Sequence, residues 1–435
     1  MLLTSNNIIS PGGTMIKLNS VVTDQCNFYG NTDPISLVNE FGSPLYVYNE
    51  AVLRERAREM KNLVPYKNFR VNYSAKANSN IALLQVINDE GLDVEGMSPG
   101  EITAELRAGF APENILYISN NISQEEMKFV VDKGVMLSVD SLSQLEQYGM
   151  VNPGGRIAVR FNTGVGAGHH EKVITCGDDT KFGVNPEYIP ELLAIVEKYD
   201  LKLVGINHHI GSLFMDATPY LDGAANLFDI AMNFKDLEFV DLGGGFGVPY
   251  KKQSGEARLD LEALGAKLNE LINSFMARYG KEIVVKVEPG RYISAESGVL
   301  LGKVRATKNN GDAKYVGTDF GMNVLARPVI YDSHHDIEVY RAAGEACDVV
   351  EEVTVVGNIC ETGDILARNR VLPKIAVGDV LGILDAGAYG AVMSSNYNSR
   401  LRPAEVLIRE NGQPVLIRER DNIEDLLKPY KMITF

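Results

Sequence analysis

Val71-Asn72-Tyr73-Ser74-Ala75-Lys76-Ala77-Asn78 closes a strand pattern that begins at Phe69. It leads into a helical run, Ile81-Ala82-Leu83-Leu84-Gln85-Val86-Ile87. This strand-then-helix step recurs down the chain. Apolar, β-rich runs lie at Phe69–Tyr73, Leu92–Val94, Ile115–Ile118, Val135–Val139, Ile157–Phe161, Leu203–Ile206, Phe239–Leu242 and Ile283–Val287. Helical patterns fill the gaps at 80–88, 99–108, 123–132, 141–148, 186–199, 218–232 and 261–279, and one more, 50–63, precedes the first strand. Leu192, Leu193 and Val196 show the helical spacing within one of them. Strands alternating with helices imply a parallel sheet. Eight strands over about 240 residues is the arithmetic of a (β/α)8 TIM barrel, with an open doubly wound sheet as the alternative.

After about Lys303 the pattern changes. Short alternating strands are predicted at Lys314–Gly317, Ile337–Tyr340, Val353–Val356, Val380–Leu384, Val406–Arg409 and Val415–Arg418. Glu410-Asn411-Gly412-Gln413 between the last two is a hairpin turn signal, because Asn-Gly accepts positive φ. The expected fold is α/β plus all-β: a TIM barrel at 46–303, and a sandwich- or barrel-like β domain formed by 1–45 with 304–435.

The totals agree with this division. A chain of 435 residues exceeds one ordinary core. A net charge of -15 opposes nucleic-acid binding. No apolar run is long enough to span a membrane, and Met1–Ser20 lacks the basic segment of a signal peptide. Cys26, Cys176, Cys347 and Cys360 are far apart, as free thiols in a reducing cytoplasm would be. The histidines form three adjacent pairs, His169-His170, His208-His209 and His334-His335. Neighbours on a strand face opposite ways, so such pairs chelate poorly and no metal is expected.

In a TIM barrel the chemistry sits at the C-terminal ends of the strands. Lys76 ends the first strand and Asp93 and Glu95 end the second. Asn207-His208-His209-Ile210-Gly211-Ser212 ends the sixth, Gly243-Gly244-Gly245-Phe246-Gly247 the seventh, and Glu288-Pro289-Gly290-Arg291 the eighth. A lysine facing a pocket can form a Schiff base, whereas on the surface it merely closes a strand. A glycine run lets amides approach an anion, or simply makes a tight turn. Ser212 and Arg291 suit a phosphate. Glu288 needs a cation, such as a protonated ring nitrogen or the Arg291 side chain. Schiff-base lysine, phosphate cradle and ring-nitrogen carboxylate together describe a pyridoxal-phosphate site.

At these motifs the chain resembles the fold type III pyridoxal-phosphate decarboxylases, and within them the diaminopimelate decarboxylases. The resemblance runs nearly end to end. It rests on Tyr73-Ser74-Ala75-Lys76-Ala77-Asn78, Ser98-Pro99-Gly100-Glu101, Lys181-Phe182-Gly183, and the His209, Gly243–Gly247 and Glu288 motifs. It continues through Gly321-Met322-Asn323, Arg327-Pro328, Tyr331, Cys360-Glu361-Thr362-Gly363-Asp364, Asp385–Gly390 and Asn396–Arg400. It implies that Lys76 anchors the cofactor and that His209 stacks on its ring. Glu288 would pair with the ring nitrogen. Ser212, Gly243, Gly244, Gly245, Gly290, Arg291 and Tyr389 would hold the phosphate. Arg291, Arg327, Tyr331, Glu361 and Tyr389 would bind substrate, and Cys360 would return the proton after decarboxylation. It further implies a homodimer with shared active sites, in which Cys360 and Glu361 enter the neighbouring subunit's barrel mouth. The expected reaction is meso-2,6-diaminopimelate to L-lysine and CO2. The rivals are ornithine, lysine or carboxynorspermidine as substrate, or a non-catalytic cofactor-binding homologue. Ornithine and lysine decarboxylases of this group typically carry aspartate after the cysteine, so Glu361 with Arg327 favours diaminopimelate. Leu213, Thr362, Cys176 and Ala326 depart from the family's usual glutamine, serine, glycine and larger apolar residue; they bear on substrate fit.

Overall fold

A computed structural model describes residues 7–9, 15–17, 22–166, 175–177, 180–341 and 349–434. The His169-His170 pair and Cys347 lie outside the described residues. The chain divides into two compact units. One comprises Arg54–Val248 and Arg258–Ile293; the other comprises Met1–Leu53, Pro249–Ala257 and Ser294–Phe435. No helix among the described residues is long and apolar enough to cross a membrane.

The first unit is a closed barrel of parallel strands. In chain order they are Phe69–Ser74, Asp93–Gly96, Ile115–Ile118, Met136–Val139, Arg156–Arg160, Lys202–Asn207, Phe239–Asp241 and Val284–Val287. Each pairs with the next, and the ring closes where Val287 lies beside Val71. Leu116, Ile118, Ala158, Val204 and Phe239 come from four of these strands and pack together inside the barrel. Gly205 makes room there, because a Cβ would stand 2.1 Å from Cζ of Phe239. Local chemistry starts the crossover helices. Ser98, Ser123 and Ser141 accept the amides of Glu101, Glu126 and Gln144 as N-caps, each worth about 1 kcal/mol. Gly109, at φ +101°, ends Pro99–Ala108 in the left-handed region that glycine adopts without strain.

The second unit is mostly sheet. Its strand order is Ile365–Pro373, Val350–Val356, Ala313–Thr318, Gly298–Asn310, Leu45–Asn49, Ala404–Ile408 and Pro414–Arg418. Val380–Ile383 pairs with Gly298–Asn310 and with Ile337–Tyr340. Leu45 and Val47 join Val299, Leu301, Val380 and Val406 in one buried cluster, with Phe28, Leu37 and Val38 from the preceding segment. Gly412 turns the last hairpin at φ +79°.

Two strands here depart from the sequence reading. Gly298–Asn310 is buried along its first half and exposed at its far end, so no period of two appears in it. Ile365–Pro373 carries Arg368, Asn369 and Arg370 at its centre, and Asn369 sits at φ +46° beside a register shift. A bulge of this kind breaks the alternation by which strands are read.

Candidate active site

The barrel residues singled out above lie where their strands end, except Asp93: the second strand runs Asp93–Gly96, so Asp93 opens it and only Glu95 lies at its C-terminal end. Lys76 sits in the turn Ala75–Ala77 immediately after the first strand. Its Nζ lies 3.3 Å from Oε2 of Glu95, which is almost wholly buried at the end of the second strand. The lysine is thus aimed across the strand ends by a buried carboxylate.

The two adjacent histidines have opposite commitments. His208 Nδ1 meets Thr163 Oγ1 at 3.0 Å, and burial pushes the ring down to about 3. His209 Nδ1 accepts the Gly244 amide at 3.1 Å, which places its proton on Nε2. Burial, then Lys76 and Arg160, hold His209 well below its ordinary value, so it is neutral. The 3.8 Å separation between His209 Nδ1 and Glu288 Oε2 is therefore a contact and not an ion pair. Among the described residues, no group of three or more histidine, cysteine or acidic side chains is placed to hold a metal ion.

Glu288 follows the eighth strand, buried beside Asp241, and among the described residues no N–H donates to its Oε1. Burial, then the carboxylates of Asp241 and Glu95, raise its acid well above the usual range, against the pull of Lys76 and Arg160. Asp241 is itself pushed up to about 6, chiefly by burial. A buried carboxyl with an unused oxygen costs stability unless something donates to it. The Arg291 guanidinium is directed at Ser212, with Nη2 to Oγ at 2.9 Å.

The glycines let the strand ends close on one another. A Cβ on Gly244 would stand 2.0 Å from the Glu288 carbonyl oxygen, and one on Gly245, at φ +105°, 2.4 Å from that of Gly211. Three amides of the run are already used: Gly243 donates to Asp241 Oδ1, Gly244 to His209, and Gly247 to the Phe214 carbonyl. The Gly245 amide donates to none of the described residues. The anion-binding part of GGGFG is thus narrower than its spelling suggests.

The second group of candidates belongs to the sheet unit. Arg327 is 1% exposed. Its Nη1 donates to His335 Nε2 at 2.8 Å, and its guanidinium lies 4.5 Å over the Tyr250 ring. His335 Nδ1 in turn donates to the Leu384 carbonyl at 2.7 Å. Tyr331 ends the short helix Arg327–Tyr331. Cys360 is an exposed free thiol whose amide donates to Asn398 Oδ1. Glu361 Oε1 accepts the Tyr397 hydroxyl at 2.5 Å. Asp364 takes the amides of Met322 and Ile359, tying two candidate substrate loops together. Tyr389 sits at φ +54°.

Several residues of the site escaped the sequence reading. Arg160 ends the fifth strand, buried, near Glu288, Asp140 and Glu95. His335, considered only as half of a metal pair, positions Arg327 instead. Arg160 had a signal, its place at a strand end; His335 had none.

These residues fit pyridoxal phosphate. Glu288 Oε1 awaits an N–H donor, and neutral His209 offers an aromatic face. Lys76 supplies an amine, and the Gly245 amide, Ser212 and Arg291 supply donors for phosphate. Comparison with known proteins agrees. The family model for the pyridoxal binding domain of pyridoxal-dependent decarboxylases matches residues 50–295. The diaminopimelate decarboxylase of Methanothermobacter thermautotrophicus is 42% identical over 408 residues, covering 92% of this chain and 94% of that protein. A crystal structure of a diaminopimelate decarboxylase superposes with TM-score 0.85 at 35% identity, covering 91% of this chain and 95% of that one. That of M. jannaschii in co-complex with L-lysine has TM-score 0.82 at 30% identity, over 100% and 99% of the two chains. Motif order, barrel geometry and whole-length identity converge, and the chain belongs to the pyridoxal-dependent decarboxylases, within the diaminopimelate decarboxylase family.

Proposed function

We propose that this chain decarboxylates meso-2,6-diaminopimelate to L-lysine and CO2, with pyridoxal phosphate as cofactor. The bound cofactor supplies the electron sink for the pair left behind when CO2 departs. Lys76 is the covalent anchor, and Glu95 orients its amine. Glu288 holds a proton at the cofactor's ring nitrogen, and its burial among other carboxylates is what makes a cationic partner favourable there. Neutral His209 packs on the ring without adding a competing charge. Ser212, Gly243–Gly245, Gly290, Arg291 and Tyr389 form the phosphate subsite, with Gly243 and Gly244 acting through the fold of the run.

The observation that carries the substrate is Arg327. Its guanidinium is buried, held on His335 and over the Tyr250 ring, and a planar guanidinium fixed in this way suits a distal carboxylate. Glu361, steered by Tyr397, suits the distal ammonium. Arg291, Tyr331 and Tyr389 complete the substrate contacts. Ornithine and lysine lack the distal carboxylate that Arg327 would bind. Cys360 delivers the proton to the substrate carbon. Cys360 and Glu361 are both exposed, which suits completion of the site by a second copy in a homodimer. The free thiols suit the reducing cytoplasm.

The test is product analysis of the holoenzyme with meso-diaminopimelate, L-lysine, L-ornithine and carboxynorspermidine. Lysine and CO2 from diaminopimelate alone are expected; turnover of another substrate instead would refute the distal assignment. Sharing is tested by mixing Lys76→Ala with Cys360→Ala protein. Each is inactive alone, and the mixture should regain about a quarter of wild-type activity if sites are shared across a two-fold. No recovery after subunit exchange would show that each site is built from one chain.

A further inference from the structure

The sheet unit holds a cavity of about 200 Å³ that the site residues do not use. Asp332, Ser333, His334, Arg368 and Arg370 supply its polar lining. That volume is roughly seven waters at liquid density. It suits an amino acid and is too small for a nucleotide.

The charges in the wall sort themselves unevenly. His334 Nε2 is 2.9 Å from Asp336 Oδ1. Arg370 donates to the His335 carbonyl at 2.9 Å and lies 3.5 Å from the same Asp336 oxygen. Those three groups balance one another. Asp332 and Arg368 do not take part. Both are exposed at the mouth of the cavity they line, and neither side chain has an ion-pair or hydrogen-bond partner among the described residues. Ser333 Oγ beside them is buried and has no hydrogen-bond partner among the described residues. An unsatisfied buried hydroxyl is a cost that a ligand group would relieve. One free cation, one free anion and one idle hydroxyl around an amino-acid-sized space match a zwitterion. A simple anion would leave Asp332 against it.

We propose that this cavity binds a free amino acid of about lysine's size, carboxylate to Arg368 and ammonium to Asp332, with Ser333 as an additional hydrogen-bond partner. The site is placed to influence catalysis. Asp332, at φ +49°, terminates the helix Arg327–Tyr331, and Pro328 of that helix also lines the cavity. On the other side, Ile365 follows Asp364, which holds the amides of Ile359 and Met322. An occupant therefore restrains both the Arg327 loop and the Cys360–Glu361 loop. That coupling to turnover rests on the substrate roles proposed above; the binding does not.

The experiment is equilibrium dialysis of radiolabelled L-lysine against the holoenzyme, with cofactor absorbance recorded in parallel. Lysine at the active site perturbs that absorbance; lysine in this cavity leaves it unchanged. Wild type should show an absorbance-silent class of sites, one per protomer. Asp332→Asn and Arg368→Ala should each weaken that class at least tenfold and leave the other class alone. Arg368→Lys should retain part of the binding. Acetate at equal concentration should not displace lysine there, whereas glycine should. Three results would overturn the proposal: no silent class in wild type, silent binding unchanged within twofold in both variants, or displacement by acetate as effective as by glycine. Failure of the functional reading looks different, because it removes the absorbance-active class or the turnover and leaves the silent class in place.

Discussion

Glu105 lies on the helix Pro99–Ala108, fully buried, with neither carboxyl oxygen hydrogen-bonded to any described residue. It presses on the second barrel strand so closely that a Cβ on Gly96 would be 2.7 Å from its Oε1. Burial first, then the carboxylates of Glu101 and Glu95, push its acid from 4.5 up to about 8. The folded chain therefore keeps this proton up to about pH 8, while the unfolded chain releases it near 4.5. Between those values the unfolded state binds fewer protons, so stability falls by about 1.4 kcal/mol per pH unit. The contribution is fully present below the unfolded value and lost as pH rises through the folded one. Glu105→Gln preserves the shape and removes the titration. Integrated from the two pKa values, the variant should gain on wild type by about 1 kcal/mol at pH 5 and about 3 kcal/mol at pH 7. Guanidinium unfolding at fixed protein concentration, read as the difference between the two proteins at each pH, cancels every other titrating group. A difference that stays flat from pH 5 to 7 would show that Glu105 is already ionised in the folded state.

Gly244→Ala forces a Cβ to 2.0 Å from the Glu288 carbonyl oxygen. It should separate the seventh and eighth strand ends and weaken cofactor binding at least tenfold, seen by cofactor titration. Arg327→Met removes a charge-assisted contact to substrate and leaves His335 Nε2 without its donor. KM for diaminopimelate should rise ~10- to 100-fold, and an unchanged KM would exclude Arg327 from the distal pocket. Cys360→Ala should lower kcat by about 10²–10⁴ if the thiol is the proton donor; a loss below twofold in steady-state kinetics would assign the proton elsewhere. Asp421 accepts from Arg402, Arg418 and Asn396, which hold its acid well below the ordinary range against the cost of burial. Its contribution is present above the unfolded value near 4 and lost as pH falls through the folded one. Asp421→Asn should thus lower the unfolding midpoint at pH 7 and close the gap in strong acid.

Much of the barrel was legible because its signals are local. A strand such as Ile115–Ile118 followed by Gln124–Asp132 shows a change of hydrophobic period that needs no knowledge of neighbours. Gly298–Asn310 was not legible, since its exposure changes along its own length with the partner strands it meets. Ile365–Pro373 was hidden by Arg370, whose charge looks wrong for a strand until Asp336 is placed beside it.

The same division runs through the site. Lys76, His209, Ser212, Glu288 and Arg291 stand out in the sequence because they follow strands, where a barrel must put its chemistry. Cys360, Glu361 and Arg327 stand out through motif resemblance alone. The sequence by itself determined the order of strands and helices, the residues presented at each strand end, and the family. Tertiary structure alone decided which of those groups carry charge and which amides remain free. His209 is neutral because it is buried and because Lys76 and Arg160 converge on it. Glu288 is raised because Asp241 and Glu95 share its enclosure. Protonation depends on burial and on charges brought together from distant parts of the chain, and neither exists until the barrel closes.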